Sequence, residues 1–345
     1  MRRIGHTLVL GLALAGLVLG APACKKGTGA GGGKGSVGGA AASALDIFPE
    51  DTAIIAGLNI SKVTTSKLWS QYGAAMLSQG EAKENLGKLK ETCGLDPTTD
   101  FEQVIIGLNG DIDEKKIIVL VKGKFDEPKI TKCLTAMAAK ADPPKKITAK
   151  TEGKITEFAE EGGKTVYIGW PASDTILIVS GAAEGDKAVL EAVLAGKTSA
   201  KNNKDLAAIM GNVNTSETVW AAMAVPAAGK LKDSMASAAA SAGPTPKALW
   251  INLAYQKDLK LEVGARFASD KDAKEQVDKA NKELETAKNE PTMGSYLKSV
   301  KAEAKGTDAI FSLSLDEKQV DELVTKLQGI LPFLLMGLQG GGGGM

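Results

Sequence analysis

Leu259-Lys260-Leu261-Glu262-Val263-Gly264-Ala265-Arg266-Phe267 is the stretch that decides the fold class of this chain. Apolar residues hold the odd positions, and Lys260, Glu262, Gly264 and Arg266 hold the even ones. Side chains of a strand alternate between the two faces of its sheet, so period two marks a strand with one apolar face. A charged segment with helical spacing comes next at 270–288. The same order occurs earlier, where the apolar run 117–124 enters Phe125-Asp126 and then a helical pattern over 126–140. The two phenylalanines lie 142 residues apart, far beyond a solenoid period. The expected fold is therefore α+β, with two related modules, each a mainly antiparallel sheet with helices on one face.

Working outward, strands are expected at 52–60, 103–108, 116–122, 155–159, 165–170 and 175–180. In the second half they are expected at 218–225, 248–255, 300–304 and 309–315. Helices are expected from Ser61 to about residue 77, over 81–92 with Gly94 as C-cap, over 183–194, in an Ala-rich stretch to about 242, and after Asp316 as N-cap. The modules are placed at 45–212 and 213–338, with a Gly tail at 339–345.

The amino-terminal region reads as targeting sequence. Arg2-Arg3 precedes an apolar run over 8–20, and the small residues Ala21 and Ala23 flank Pro22 before Cys24. The run is shorter than the roughly 20 residues of a membrane span. Residues 1–23 are read as a lipoprotein signal peptide and Cys24 as the lipid-accepting residue, with palmitate among the expected acyl groups. Residues 24–44 are nearly all Gly, Ala, Ser and Lys, a tether that cannot bury enough apolar surface to order itself. Its typical reach is about 25 Å. This reading places the protein in the cell envelope, lipid-anchored and facing the periplasm, in the outer membrane before the inner.

Removal of Arg2 and Arg3 takes the formal charge from +1 to −1. A near-neutral chain without a basic cluster excludes nucleic acid as the expected partner. His6, the one histidine, lies in the signal, and Arg266 is the one arginine after it. The mature chain lacks the commonest general base and the histidine metal ligands. No catalytic, cofactor or metal residues are assigned. Cys93 and Cys133, an even pair outside the cytoplasm, read as a disulfide closing a loop of about 40 residues, against the alternative of two buried thiols.

Other motifs are weaker. Gly27–Gly32 and Gly33-Lys34-Gly35-Ser36 lack the strand–helix context or the residue order of nucleotide-binding loops. Ser295-Tyr296-Leu297-Lys298 has the Ser-x-x-Lys spacing of penicillin-recognising enzymes, but Ser173-Asp174-Thr175 and Lys305-Gly306-Thr307 depart from their other two elements. Asp111, Asp113 and Glu114 lack the glycine of a calcium loop, Lys116 standing in its place. Trp69, Trp170, Trp220 and Trp250 read as core rather than as a stacking platform. The apolar run 330–338 is too short to span a membrane, and either packs on the core or docks a partner.

The landmarks Phe48-Pro49-Glu50-Asp51-Thr52, Gly57-Leu58, Lys67-Leu68-Trp69, Cys93-Gly94-Leu95-Asp96-Pro97, Val121–Asp126 and Cys133-Leu134 resemble uncharacterised lipoproteins of delta-proteobacterial, especially myxobacterial, type. The resemblance covers most of the mature chain. It implies fold and location and fits Cys93 pairing with Cys133, but it carries no activity. The expected function is a non-enzymatic binding or assembly role in the envelope, with an envelope protein as a candidate partner. The alternative is a periplasmic hydrolase using carboxylates or a Ser-Lys pair.

Overall fold

A computed structural model describes residues 40–325, except 74–76, 78–79, 110–116, 142, 164, 181–185, 230, 234, 237–242 and 290–293. The signal, Cys24, most of the tether, the acidic loop at 111–114, the last part of the Ala-rich stretch and the run 330–338 lie outside the described residues.

The chain is α+β, built on one antiparallel sheet of twelve strands. The first half supplies β1 (Thr52–Asn59), β2 (Phe101–Asn109), β3 (Ile117–Gly123), β4 (Ile147–Glu152), β5 (Ile155–Glu160), β6 (Thr165–Ala172) and β7 (Thr175–Ser180). The second supplies β8 (Val219–Ala224), β9 (Ala248–Tyr255), β10 (Leu259–Arg266), β11 (Val300–Lys305) and β12 (Asp308–Leu315). The helices are α1 (Ala40–Ile47), α2 (Ile60–Thr64), α3 (Gly80–Cys93), α4 (Pro97–Asp100), α5 (Glu127–Ala139), α6 (Asp186–Leu194), α7 (Lys204–Met210), α8 (Asp270–Ala287) and α9 (Gly294–Leu297). Residues 317–325 are also helical.

The strand order is β11-β12-β10-β9-β8-β1-β2-β3-β7-β6-β5-β4. The repeat is legible in it. From the centre outward, β1-β2-β3-β7-β6 on one side matches β8-β9-β10-β12-β11 on the other, and the hairpin β4–β5 extends the first half. In both halves the third strand feeds a helix through a phenylalanine and a capping residue. The Asp126 carboxylate accepts from Lys129 N at 2.8 Å to start α5, and the Ser269 hydroxyl accepts from Asp272 N at 3.2 Å to start α8. The two halves are not separate bodies, because β1 pairs directly with β8 and makes their sheets continuous.

Helices pack on both faces of the first half, whereas the sequence reading put them on one. α3 and α5 cover one face through Leu89, Ile130, Cys133 and Leu134, which meet Val104, Val119 and Val121. α1, α6 and α7 cover the other, where Leu45, Leu190, Leu206 and Ile209 meet Ile55, Ile105, Trp220 and Trp250. Helix α1 spans Ala40–Ile47, so its first residues fall within the stretch read as tether. Ala44 is only 1% exposed, in a helix tied down by Ser199 Oγ donating to Leu45 O. The chain after residue 61 also departs from the expected long helix. α2 ends at Thr64, a π-helical turn comes after it at Trp69–Gly73, and Asn59 takes the N-cap position in place of Ser61. Asn59 makes no side-chain cap bond; its Nδ2 donates to Thr215 O and Glu217 O, which ties the end of β1 to the turn before β8. Strand β4, with five of its six residues exposed, and α7 were missed because neither shows clear apolar periodicity.

Three of the tryptophans are core residues. Trp220 stands opposite Gly57 and Trp250 opposite Gly264 in cross-strand register, each indole lying over a glycine that leaves room for it. Trp170 Nε1 donates to the buried Thr156 hydroxyl at 3.0 Å.

One cap carries a pH dependence. Asp96 starts α4, and its carboxylate is held below the usual range, first by the hydrogen bond from Thr98 Oγ1 at 2.6 Å. A carboxyl whose folded pKa is depressed adds stability above its unfolded pKa, and this is lost as pH falls through the folded value. Asp96→Asn should therefore lower stability at pH 6 and narrow its deficit below about pH 4. Urea midpoints across that window would check this, and a deficit that stays constant down to pH 3 would refute it.

Candidate functional site

The residues singled out by sequence are dispersed in the structure. Cys93 and Cys133 are bonded, with Cα atoms 4.6 Å apart, and staple the end of α3 to the middle of α5. Ser295 and Lys298 are on and just after α9, and no hydrogen bond joins their side chains. Asp174 and Gly306 sit in the β6–β7 and β11–β12 turns, Gly306 at φ 58°. Among the described residues no three His, Cys, Asp or Glu side chains gather to hold a metal ion.

A cleft of about 700 Å³ opens at one end of the sheet, lined by Lys62, Lys67, Glu217, Tyr255, Lys260 and Glu317 among others. Its charges are largely matched against one another. Lys67 Nζ donates to Glu317 Oε1 and Asp321 Oδ2, both at 2.9 Å, and Lys62 approaches Glu217 at 3.9 Å. The hydrogen bond to Asp321, then that to Glu317, holds the Lys67 ammonium well above the ordinary lysine range. The β9–β10 turn is hooked to the same segment, since Lys67 N donates to Gln256 O and Gln256 Nε2 to Lys62 O. This cleft is a latch that ties helix 317–325 and the β9–β10 hairpin to the first half.

The larger feature is the sheet face that carries α3, α5 and α8. Strand register lays its side chains out in three rows across eight strands. The central row runs Val119, Ile106, Ala56, Ala221, Ile251, Val263, Phe311, Ala302. The row on one side runs Val121, Val104, Leu58, Val219, Leu253, Leu261, Leu313, Val300. The row on the other runs Ile117, Leu108, Ile54, Met223, Leu249, Ala265, Ala309, Ala304. Every position is apolar. The opposite face of the second half is polar where it leaves α7, as Glu262, Ser312 and Lys301 show.

Cover is unequal along these rows. Val104, Val119 and Val121 are buried under α3 and α5, and Ala265 and Ala309 under α8 through Ala273 and Val277. Between them, on β2, β1, β8, β9 and β10, lies a trough of mostly half-buried residues, while β1 and β8 are mostly buried on their other face. The burial pattern of β8 alternates without a break, with Trp220, Ala222 and Ala224 buried and Val219, Ala221 and Met223 half-buried. Ile251 at the centre is 38% exposed and Ile117 at the rim 37%. From β2 to β10 the trough crosses five strands, about 19 Å at the usual strand spacing. Contiguous apolar surface of this kind marks a binding site more often than chance exposure does.

No family model matches this chain, and no curated protein matches it. Among solved structures, crystal form I of TP0453 superposes with a TM-score of 0.44 at 9% identity, covering 82% of this chain and 97% of that one.

Proposed function

We propose that this protein is a lipid-anchored component of the cell envelope that binds the acyl chain of a lipid in the trough, without catalysing a reaction. The trough carries the reading. Its three rows offer no charge and no hydrogen-bonding side chain, so only a ligand without polar groups along its length loses nothing by lying there. A protein helix would bring polar flanks needing partners. The ~19 Å across β2 to β10 suits an extended long-chain acyl group. Helix α1 packs on the opposite face and leaves the trough clear. No helix among the described residues is long and apolar enough to cross a membrane, so membrane attachment in this reading rests on Cys24.

Two measurements test it. Cys24→Ser should release the protein from the membrane fraction, and the mature wild type should show the added mass of its acyl groups. An unmodified Cys24 overturns the anchor. The apolar dye N-phenyl-1-naphthylamine should fluoresce on binding the full chain and be displaced by palmitate. Ile251→Glu should weaken dye binding about tenfold or more, since a buried carboxylate without a partner costs well over 1.4 kcal/mol. Lys150→Glu, on exposed β4, should leave it unchanged. Undiminished dye binding by Ile251→Glu overturns the trough as the site.

A further inference from the structure

The trough is wider than one acyl chain. On β1 and β8 its floor is Ala56 and Ala221, which face each other in register where the two halves join. Larger residues flank this floor on the same strands, Leu58 and Val219 on one side and Ile54 and Met223 on the other. The flanking rows lie four residues apart along each strand, about 13–14 Å. Carbon contact takes about 4 Å of this, which leaves a clear width of about 9–10 Å. A polymethylene chain is itself about 4–5 Å across at carbon contact, so two lie side by side and a third does not fit. Leu253 and Leu261 pack against the buried cluster of Tyr255, Val320 and Leu323, which fixes that wall.

On β9 the floor rises. Ile251 stands between Leu253 and Leu249 and is exposed, so its side chain divides the trough lengthwise. Val263 continues the divide on β10, between Leu261 and Ala265. One chain would fill one lane and leave the apolar side chains of the other in water, whereas two cover both. Two free fatty acids would also bring two carboxylates, like charges that disfavour each other, and no residue of the three rows can pair with either. A diacylglycerol lipid brings its two chains through uncharged esters and leaves one headgroup in water. We infer that the ligand is a diacylglycerol-based lipid whose two acyl chains lie in parallel lanes on either side of Ile251. This rests on the acyl-binding reading and adds to it the number of chains.

The chains are counted by native mass spectrometry of the full mature chain carrying Cys24→Ser, which has no acyl groups of its own. Palmitate in excess should bind as two molecules per chain. Dipalmitoylphosphatidylcholine should bind as one and exclude both palmitates. In displacement of N-phenyl-1-naphthylamine, dioctanoylphosphatidylcholine should be about a hundredfold or more stronger than its single-chain counterpart, octanoyl-lysophosphatidylcholine, both below their micelle-forming concentrations. Val219→Trp fills one lane and Met223→Trp the other, so each should lower the palmitate count from two to one. If either variant fails to fold, the wild-type counts and the preference for two chains still decide. One palmitate per chain, more than two, or a diacyl lipid no stronger than its single-chain counterpart overturns the inference and leaves acyl binding standing. A count of two in both folded tryptophan variants overturns the lanes. Absence of dye, palmitate and diacyl binding alike overturns the acyl-binding reading, and the inference with it.

Discussion

Gly264→Ala should destabilise the protein by about 3 kcal/mol or more, at the upper end of what overpacking costs. An ideal Cβ at this position would fall 1.9 Å from Trp250 Cζ2 and 2.0 Å from Cε2. Trp250 is 1% exposed, its Nε1 donates to Glu262 Oε1 at 3.2 Å, and it belongs to the cluster under α7. The ring cannot swing away without breaking that bond or displacing Leu206 and Ile209, and β10 cannot retreat while paired on both sides. A chemical-denaturation midpoint reads the effect. The double variant Gly264→Ala with Trp250→Leu should be less destabilised than the sum of its parts, because removing the ring removes the clash. Gly87→Ala provides the opposite sign. It sits in α3 with nothing within 4 Å of its would-be Cβ, so it should stabilise by up to about 1 kcal/mol. A neutral Gly264→Ala would show that the indole is not packed on that backbone.

Removing the disulfide is the second large effect. Cys93→Ser with Cys133→Ser frees a link spanning 40 residues, and the chain-entropy estimate for such a loop is about 4 kcal/mol. The loss should be unevenly felt. α3 is held mainly by α5 and the bond itself, whereas α5 also packs through Ile130 and Leu134 onto the sheet. Hydrogen exchange in the double variant should rise first in α3, ahead of the strands. An unchanged urea midpoint, or loss of protection in β1 and β8 as early as in α3, would contradict this. The trough should keep its dye binding below the transition, since α3 covers the buried valines at its far flank rather than Ile251.

Much of this architecture was legible in the residues. Alternation at 259–267 defined β10, the two Phe-led strand–helix units placed α5 and α8, and Gly94 marked the end of α3 through its φ of 60°. These signals are local, set by backbone geometry within a few residues. The errors came where a distant partner outbids a local preference. Asn59 turns from its helix to the carbonyls of Thr215 and Glu217. Ala40–Ile47, whose first residues read as tether, is held by distant partners: Ala44 and Leu45 share a buried cluster with Ile105 of the sheet, and the Ser199 hydroxyl, in the loop before α7, donates to Leu45 O.

The trough divides the two kinds of information most clearly. Sequence alone determined the apolar side of β10, written as period two at 259–267, and the apolar runs of most other strands. It also supplied the reading of Cys24 and the poverty of catalytic side chains after the signal. Only tertiary structure decided that the apolar sides of eight strands from two halves join in one face, through the β1–β8 pairing of residues 165 positions apart at Ala56 and Ala221. It alone decided which part of that face the helices cover. Cover depends on where α3, α5 and α8 land, which is set by residues distant in sequence from β8 and β9.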